Sequence, residues 1–331
     1  MKIAIVGCGA VGSYYGAKLW KAGQQVHFLL RSDYEVVKQH GVRILSVEGD
    51  FVAHPVPHRD PEEIGPCDWV VVALKTTANG EFGRLIPPLV GEQTRVITLQ
   101  NGLGNEEALA EVVGAERVYG GLCFVCLNRI APGVIRHMAH GRIVMGEFRR
   151  RPGRAVYEFA ELFRKAGVPC EVSEDLERAH WEKLVWNIPF NGLGVAGVVG
   201  YENYLAGKVP PPGEWGPCLT TEDILGDPRW LDQVKELMGE VLAAAEGLGF
   251  SIPWAFAEEN IERTRCMGPY KASTLLDFER GLPLEMESLF LEPRRRAHRV
   301  GVSTPGMDRL CRVLEQLDEL RAEWRGGEGW A

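Results

Sequence analysis

The sequence predicts an α/β protein, a doubly wound sheet at the N-terminus followed by a mostly α-helical domain. Three observations predict it. Up to residue 175, short runs rich in Val, Ile and Leu alternate with helix-like stretches, the pattern of strands buried on both faces of a parallel sheet. A glycine loop, Gly7-Cys8-Gly9-Ala10-Val11-Gly12, joins the first such run to the first helical stretch. From about Leu176 the strand signal fades and long helical periodicities take over. A length of 331 residues suits about two domains. We therefore expect a cofactor-binding domain over residues 1–175 and a helical substrate-binding and catalytic domain over 176–331.

The elements follow in order. Lys2–Val6, Gln25–Leu30, Trp69–Leu74 and Arg95–Gln100 read as parallel strands, and Val11–Ala22, Asn79–Leu89 and Asn105–Val113 as the helices between them. Arg43–Val47 and Phe51–Val56, joined by Glu48-Gly49-Asp50, read as an inserted hairpin. Val118–Ile130, Gly133–His137 and Arg142–Glu147 read as further strands. In the second half, helices are expected over Leu176–Phe190, Trp230–Gly249, Trp254–Arg265, Ala272–Arg280, Glu285–Val300 and Thr304–Arg325. Residues 208–216 (KVPPPGEWG) are too rich in Pro and Gly for either element and read as a surface loop.

Composition narrows the function classes. A net charge of −8 argues against a binder of nucleic-acid backbone, which needs a basic face. No apolar run reaches the ~18 residues of a membrane span, and the chain opens on a strand without the charged and apolar regions of a leader. A cytoplasmic location is the expectation. The eight cysteines are scattered. The one close pair, Cys123 and Cys126, has no histidine or second pair at ligand spacing, so reduced thiols are expected rather than a metal site.

The glycine loop carries the first functional signal. In GxGxxG between strand and helix, Gly7 permits the tight turn and Gly9 lets the backbone approach a pyrophosphate. Gly12 allows close helix–strand packing, and the helix N-terminus faces the phosphate charge. This is the Rossmann-type dinucleotide fingerprint, with Cys8, Ala10 and Val11 completing the loop. An NAD site places a carboxylate about 20 residues further on. Here the second strand runs into Arg31-Ser32, whose guanidinium can pair with a 2′-phosphate, and the nearest carboxylate, Asp33, comes two residues later. NADP(H) is therefore the expected cofactor.

Ligands of open α/β sheets sit outside the carboxyl ends of the strands. Two of these ends carry polar residues, Lys75 after Trp69–Leu74 and Asn101-Gly102 after Arg95–Gln100, which places both beside the reactive end of the cofactor. In the helical half, Lys183, Asn187 and Asn191 fall at i, i+4 and i+8, one stripe on a helix that is otherwise apolar or small from 184 to 200. Such a helix should be buried, and a buried amine and two amides need polar partners, which a polar ligand would provide. Further on, Ala272-Ser273-Thr274-Leu275-Leu276-Asp277 begins a helix that Gly281 and Pro283 should end, and Glu285 opens the next.

With these residues in hand, the chain resembles the ketopantoate reductase (2-dehydropantoate 2-reductase) family over nearly its whole length. The pattern comprises Gly7/Gly9/Gly12, Lys75, Asn101-Gly102, Lys183/Asn187/Asn191, and Ser273 followed twelve residues later by Glu285. The resemblance implies NADPH-dependent reduction of 2-dehydropantoate to (R)-pantoate, a step toward pantothenate and coenzyme A. It implies Lys183 as the general acid, oriented by Glu285, and Asn187, Asn191 and Ser273 as holders of the substrate's hydroxyl and carboxylate. Lys75 and Asn101 would line the cleft between nicotinamide and substrate, so Lys75, Asn101 and Glu285 also count among the cofactor-binding residues. Alternatives are a reductase of another 2-oxo acid, an opine-type or 3-hydroxyacid dehydrogenase, or a non-catalytic NADP-binding sensor. The last would have no use for Lys75, Lys183 and Glu285. The helices are compatible with a homodimer as well as with a monomer's own core.

Overall fold

The computed structural model describes residues 1–324. Residues 325–331, including Arg325 at the end of the last expected helix, lie outside the described residues. Packing divides the chain within the first turn of one helix into two compact units, Met1–Ala179 and a second from His180 onward.

The first unit contains β1 (Lys2–Val6), α1 (Ala10–Lys21), β2 (Gln25–Leu29), α2 (Tyr34–His40), β3 (Val42–Ser46), β4 (Phe51–Ala53), β5 (Val56–His58), α3 (Pro61–Ile64) and β6 (Trp69–Val72). It continues through α4 (Phe82–Leu85), β7 (Arg95–Thr98), α5 (Asn105–Val113), β8 (Val118–Ala131), β9 (Val134–Glu147), α6 (Arg154–Lys165) and β10 (Cys170–Val172). Six strands run parallel in the order β5-β2-β1-β6-β7-β8. The strand order reverses between β1 and β6, and in a doubly wound sheet such a switch point opens the ligand crevice. Alternation along β1 places Ile3 and Ile5 in one buried cluster and Ala4 and Val6 in another, so both faces of the sheet are covered. On the first face Trp69 stacks on Phe159 with ring centroids 3.9 Å apart.

Beyond β8 the sheet becomes mixed. β9 pairs antiparallel with β8, carries β3 and β10 in parallel, and β3 holds β4 antiparallel. Three local expectations change here. Gly133–His137 and Arg142–Glu147 are not separate strands but halves of β9. The break the sequence signals is a bulge at His140 and Gly141, both at positive φ, which the long β8 partner bridges. Asn79–Leu89 is not one helix but two 3₁₀ turns flanking the single turn α4, because Gly80, Gly83, Pro87 and Pro88 interrupt it. Val56, expected at the end of the hairpin, instead begins β5 and pairs with β2.

The second unit is helical, comprising α7 (Leu176–Ala196, begun in the first unit), α8 (Tyr201–Ala206), α9 (Thr221–Gly226), α10 (Pro228–Gly247), α11 (Trp254–Arg265), α12 (Ser273–Glu279), α13 (Glu292–Arg299) and α14 (Pro305–Trp324). Residues 208–216 form a loop containing one 3₁₀ turn. α7 continues six residues past the expected Phe190 even though Pro189 lies inside it. An interior proline costs about 3 kcal/mol, and here residues 187–199 are all buried, so packing offsets that cost. Gly192 makes the packing possible, because a Cβ there would lie 2.5 Å from Leu310 of α14.

Candidate active site

The glycine loop turns from β1 into α1 at the switch point. Gly7 has φ +98°, and a Cβ on it would lie 2.3 Å from the amide of Leu74, just past β6. A Cβ on Gly12 would lie 2.2 Å from the Gly7 carbonyl oxygen and 3.1 Å from Ile5. A Cβ on Gly9, in contrast, would meet nothing within 4 Å. Two glycines therefore close the turn, and the third leaves open backbone. Gly9 caps α1, no side chain accepts from the first-turn amides, and no acidic residue stands in that turn. Just past the loop, Ser13 Oγ donates back to the Cys8 carbonyl at 3.0 Å. Burial pushes the Cys8 thiol well up, so it adds no negative charge. Open backbone at a helix N-terminus that no side chain caps fits a pyrophosphate.

The end of β2 presents Arg31 and Ser32 to solvent, whereas Asp33 is buried. Both Asp33 oxygens are held. Arg129 of β8 donates to each of them, Ser32 Oγ to Oδ1 at 2.9 Å and Gly133 N to Oδ2 at 2.9 Å. Burial opposes ionisation, yet these donors keep the carboxyl below its ordinary range. The carboxylate that left the cofactor choice open in the sequence is thus committed inside the protein.

At the next two strand ends, Lys75 is exposed and introduces the turn after β6, and Asn101 is half-buried after β7. A run of amides ties the two turns together. Thr98 Oγ1 donates to Gln100 Oε1 at 2.9 Å, Gln100 Nε2 to Asn79 Oδ1 at 2.8 Å, Asn79 Nδ2 to Asn105 Oδ1 at 2.9 Å and Asn105 Nδ2 to the Asn101 carbonyl at 3.0 Å. Gly102 and Gly104, at φ +84° and +88°, make the intervening turn. Sequence reasoning singled out Lys75 and Asn101 but missed the network that ties their two turns together. Its signal was three further polar residues, Asn79, Gln100 and Asn105, at the same sheet edge.

In the second unit the stripe on α7 is graded. Lys183 is half-buried, Asn187 is 6% exposed and Asn191 2%. Asn191 Oδ1 accepts from Ser273 Oγ at 3.2 Å and from the Thr274 amide at 3.0 Å, so it caps α12 from a distance and fixes the Ser273 hydroxyl. Glu285, 6% exposed, sits just before a π-helical turn, Glu287–Leu291. The chain leading to it is pinned by α14: Asp318 accepts from the Leu284 amide at 3.2 Å, and Arg321 donates to the Gly281 carbonyl at 3.1 Å. Of the second-unit residues singled out in the sequence, a hydrogen bond joins Ser273 to Asn191. Among the described residues no cluster of His, Cys, Asp and Glu could hold a metal ion, and all eight cysteines are free.

The model of the family "Ketopantoate reductase PanE/ApbA" matches residues 3–150, and that of its C-terminal domain matches residues 218–318. The chain belongs to the ketopantoate reductase family. A 2-dehydropantoate 2-reductase of Nostoc sp. is 39% identical over 323 residues, 96% of this chain and 95% of the relative. The crystal structure of a 2-dehydropantoate 2-reductase from Geobacter metallireducens superposes with a TM-score of 0.87 at 44% identity, over 96% of this chain and 99% of that one. One from Methylococcus capsulatus does so with 0.84 at 31% identity, over 97% and 98%. Like other members of the family the chain is an oxidoreductase, and its relatives imply a nicotinamide cofactor. Among the described residues no helix is long and apolar enough to cross a membrane.

Proposed function

We propose that the chain reduces 2-dehydropantoate to (R)-pantoate with NADPH, in the direction of pantothenate synthesis. The observation that carries this reading is the graded polar stripe on α7, a lysine followed by two buried amides on an otherwise apolar helix, with Asn191 held against Ser273. When bound, the dinucleotide supplies the hydride to the C2 carbonyl carbon. Lys183 donates a proton to the carbonyl oxygen as negative charge develops there, which balances the reduction to an alcohol. Glu285 orients the lysine, and Asn187, Asn191 and Ser273 hold the substrate's hydroxyl and carboxylate. Gly7–Gly12 receive the pyrophosphate, Arg31 the 2′-phosphate, and Lys75 and Asn101 flank the nicotinamide. In this reading residues 1–175 serve as the cofactor domain and 176–331 as the substrate domain.

NADP(H) rather than NAD(H) is supported by the exposure of Arg31 together with the internal commitment of Asp33. The test is NADPH and NADH oxidation with 2-dehydropantoate and a panel of other 2-oxo acids. Rapid oxidation of NADPH with 2-dehydropantoate is the expected result. Turnover of another 2-oxo acid but not of 2-dehydropantoate would move the substrate, and a preference for NADH would overturn the role of Arg31.

A further inference from the structure

The turn after β2 holds three ionic groups. Arg31 is exposed, Asp33 is 6% exposed, and Arg129 reaches in from β8, 96 residues away in sequence, with its side chain 37% exposed. A carboxylate has about four lone-pair sites. Asp33 uses four: two for the Arg129 guanidinium, one for Ser32 Oγ and one for the Gly133 amide. It has no acceptor left for a ribose hydroxyl, although it stands close to where an NAD-binding sheet places its selecting carboxylate. The charge balance matters equally. With Asp33 neutralised by Arg129, the turn keeps the positive charge of Arg31, whereas a released Asp33 would cancel it.

The anchorage is built into the fold. Gly133 has φ +67°, a Cβ there would come within 3.1 Å of Val36 on α2, and its carbonyl accepts from Arg43 N at 2.8 Å. The β8–β9 turn therefore packs directly on the element that Asp33 begins. We propose that Arg129 is a specificity-determining positioning residue: by sequestering Asp33 it removes the carboxylate that would repel a 2′-phosphate and accept from a 2′-hydroxyl. This deepens the NADPH reading above and rests on it. NADPH selection then depends on two arginines, Arg31 at the cofactor and Arg129 behind it, acting through Asp33.

The experiment measures kcat/KM for NADPH and for NADH in the wild type, Arg129→Gln and the double variant Asp33→Ser/Arg129→Gln, with thermal melts alongside. A unit charge released several ångströms from the phosphate at intermediate dielectric shifts binding by about 10- to 30-fold. Arg129→Gln should therefore lower the NADPH-to-NADH ratio by about that factor, mainly through KM for NADPH. The double variant should recover the ratio to within about 3-fold, since the offending carboxylate is gone. A merely structural role would lower both cofactors alike and give no recovery, and either result overturns the proposal. If Arg129→Gln does not fold, Arg129→Lys serves instead, keeping the charge but losing the planar fork. It should shift the ratio by a smaller factor in the same direction, and an unchanged ratio overturns the proposal. A wild type that prefers NADH fails the underlying NADPH reading. A wild type that prefers NADPH with an unmoved ratio in Arg129→Gln fails this inference alone.

Discussion

Gly9 and Gly12 stand three residues apart in one loop, and the structure predicts opposite consequences for filling them. Gly9 has φ −75° and ψ −153°, open to any L-residue, and a Cβ there meets nothing within 4 Å. Gly9→Val should leave stability within about 0.5 kcal/mol of the wild type. Its side chain would project where the phosphates approach the first-turn amides. Losing one or two charge-assisted hydrogen bonds at about 1.5 kcal/mol or more each should weaken NADPH binding by about 10- to 100-fold. Gly12→Ala is the converse. Its Cβ would lie 2.2 Å from the Gly7 carbonyl oxygen and 3.2 Å from Ala73, so α1 must move away from β1 at a cost of about 2–3 kcal/mol. At about 2–4 °C per kcal/mol, the melting temperature should fall by about 5–10 °C. Fluorescence titration with NADPH and a thermal melt of each variant separate the two effects. Gly9→Val binding NADPH within about 3-fold of the wild type would refute the placement of the pyrophosphate on this loop.

Lys183→Ala should lower turnover by about 10²–10⁴-fold, the usual contribution of a general acid, while NADPH affinity measured by titration stays near that of the wild type. Near-normal turnover would remove Lys183 from the chemistry. Asn191→Leu should cost about 1–3 kcal/mol in a denaturant melt, because it strands the buried Thr274 amide and removes the acceptor of the half-buried Ser273 hydroxyl. It should also raise KM for the substrate, and stability equal to the wild type would contradict the cap. On the sheet, His27 Nδ1 lies 2.9 Å from His58 Nε2. Burial, with His58 and Lys2 nearby, pushes the His27 imidazole down to about 4. A base with a depressed folded-state pKa is neutral in the native state, so the unfolded chain binds the proton first. Stability should thus fall as pH drops from about 6.5 toward about 4, by up to about 3 kcal/mol. Denaturant melts of His27→Phe across that window should show a shallower slope, and an unchanged slope would show that other groups set the acid limit.

The parallel half of the sheet was legible because its strands are buried on both faces, which writes apolar runs into β1 and β6. The glycine loop was legible for a related reason, since backbone geometry alone dictates Gly7 and Gly12. What the sequence left obscure depends on partners distant in the chain. β9 is one strand only because β8 pairs along its whole length, across the bulge at His140 and Gly141. The helix α7 survives Pro189 because neighbours bury its second half. The region after β6 failed in the other direction: its helical pattern was real, but Gly80, Gly83 and two prolines left the backbone only single turns. Arg129 could not be singled out at all, because its carboxylate partner lies 96 residues away.

The stripe on α7 shows the same division inside a single motif. Spacing places Lys183, Asn187 and Asn191 in one row, and their chemistry reads alike as long as the row is seen by itself. Burial separates them. Exposure falls along the row, and at its deep end the Asn191 carbonyl oxygen is fully occupied by the start of α12. A buried amide with a saturated acceptor can still donate through its nitrogen, but its main effect is to fix where Ser273 stands. Lys183, half-buried at the shallow end, retains contact with solvent, from which the proposed acid would recover its proton. If the row works on one substrate, its shallow end supplies the proton transfer and its deep end the geometry. The expected mutant phenotypes divide accordingly, turnover at Lys183 and stability with KM at Asn191.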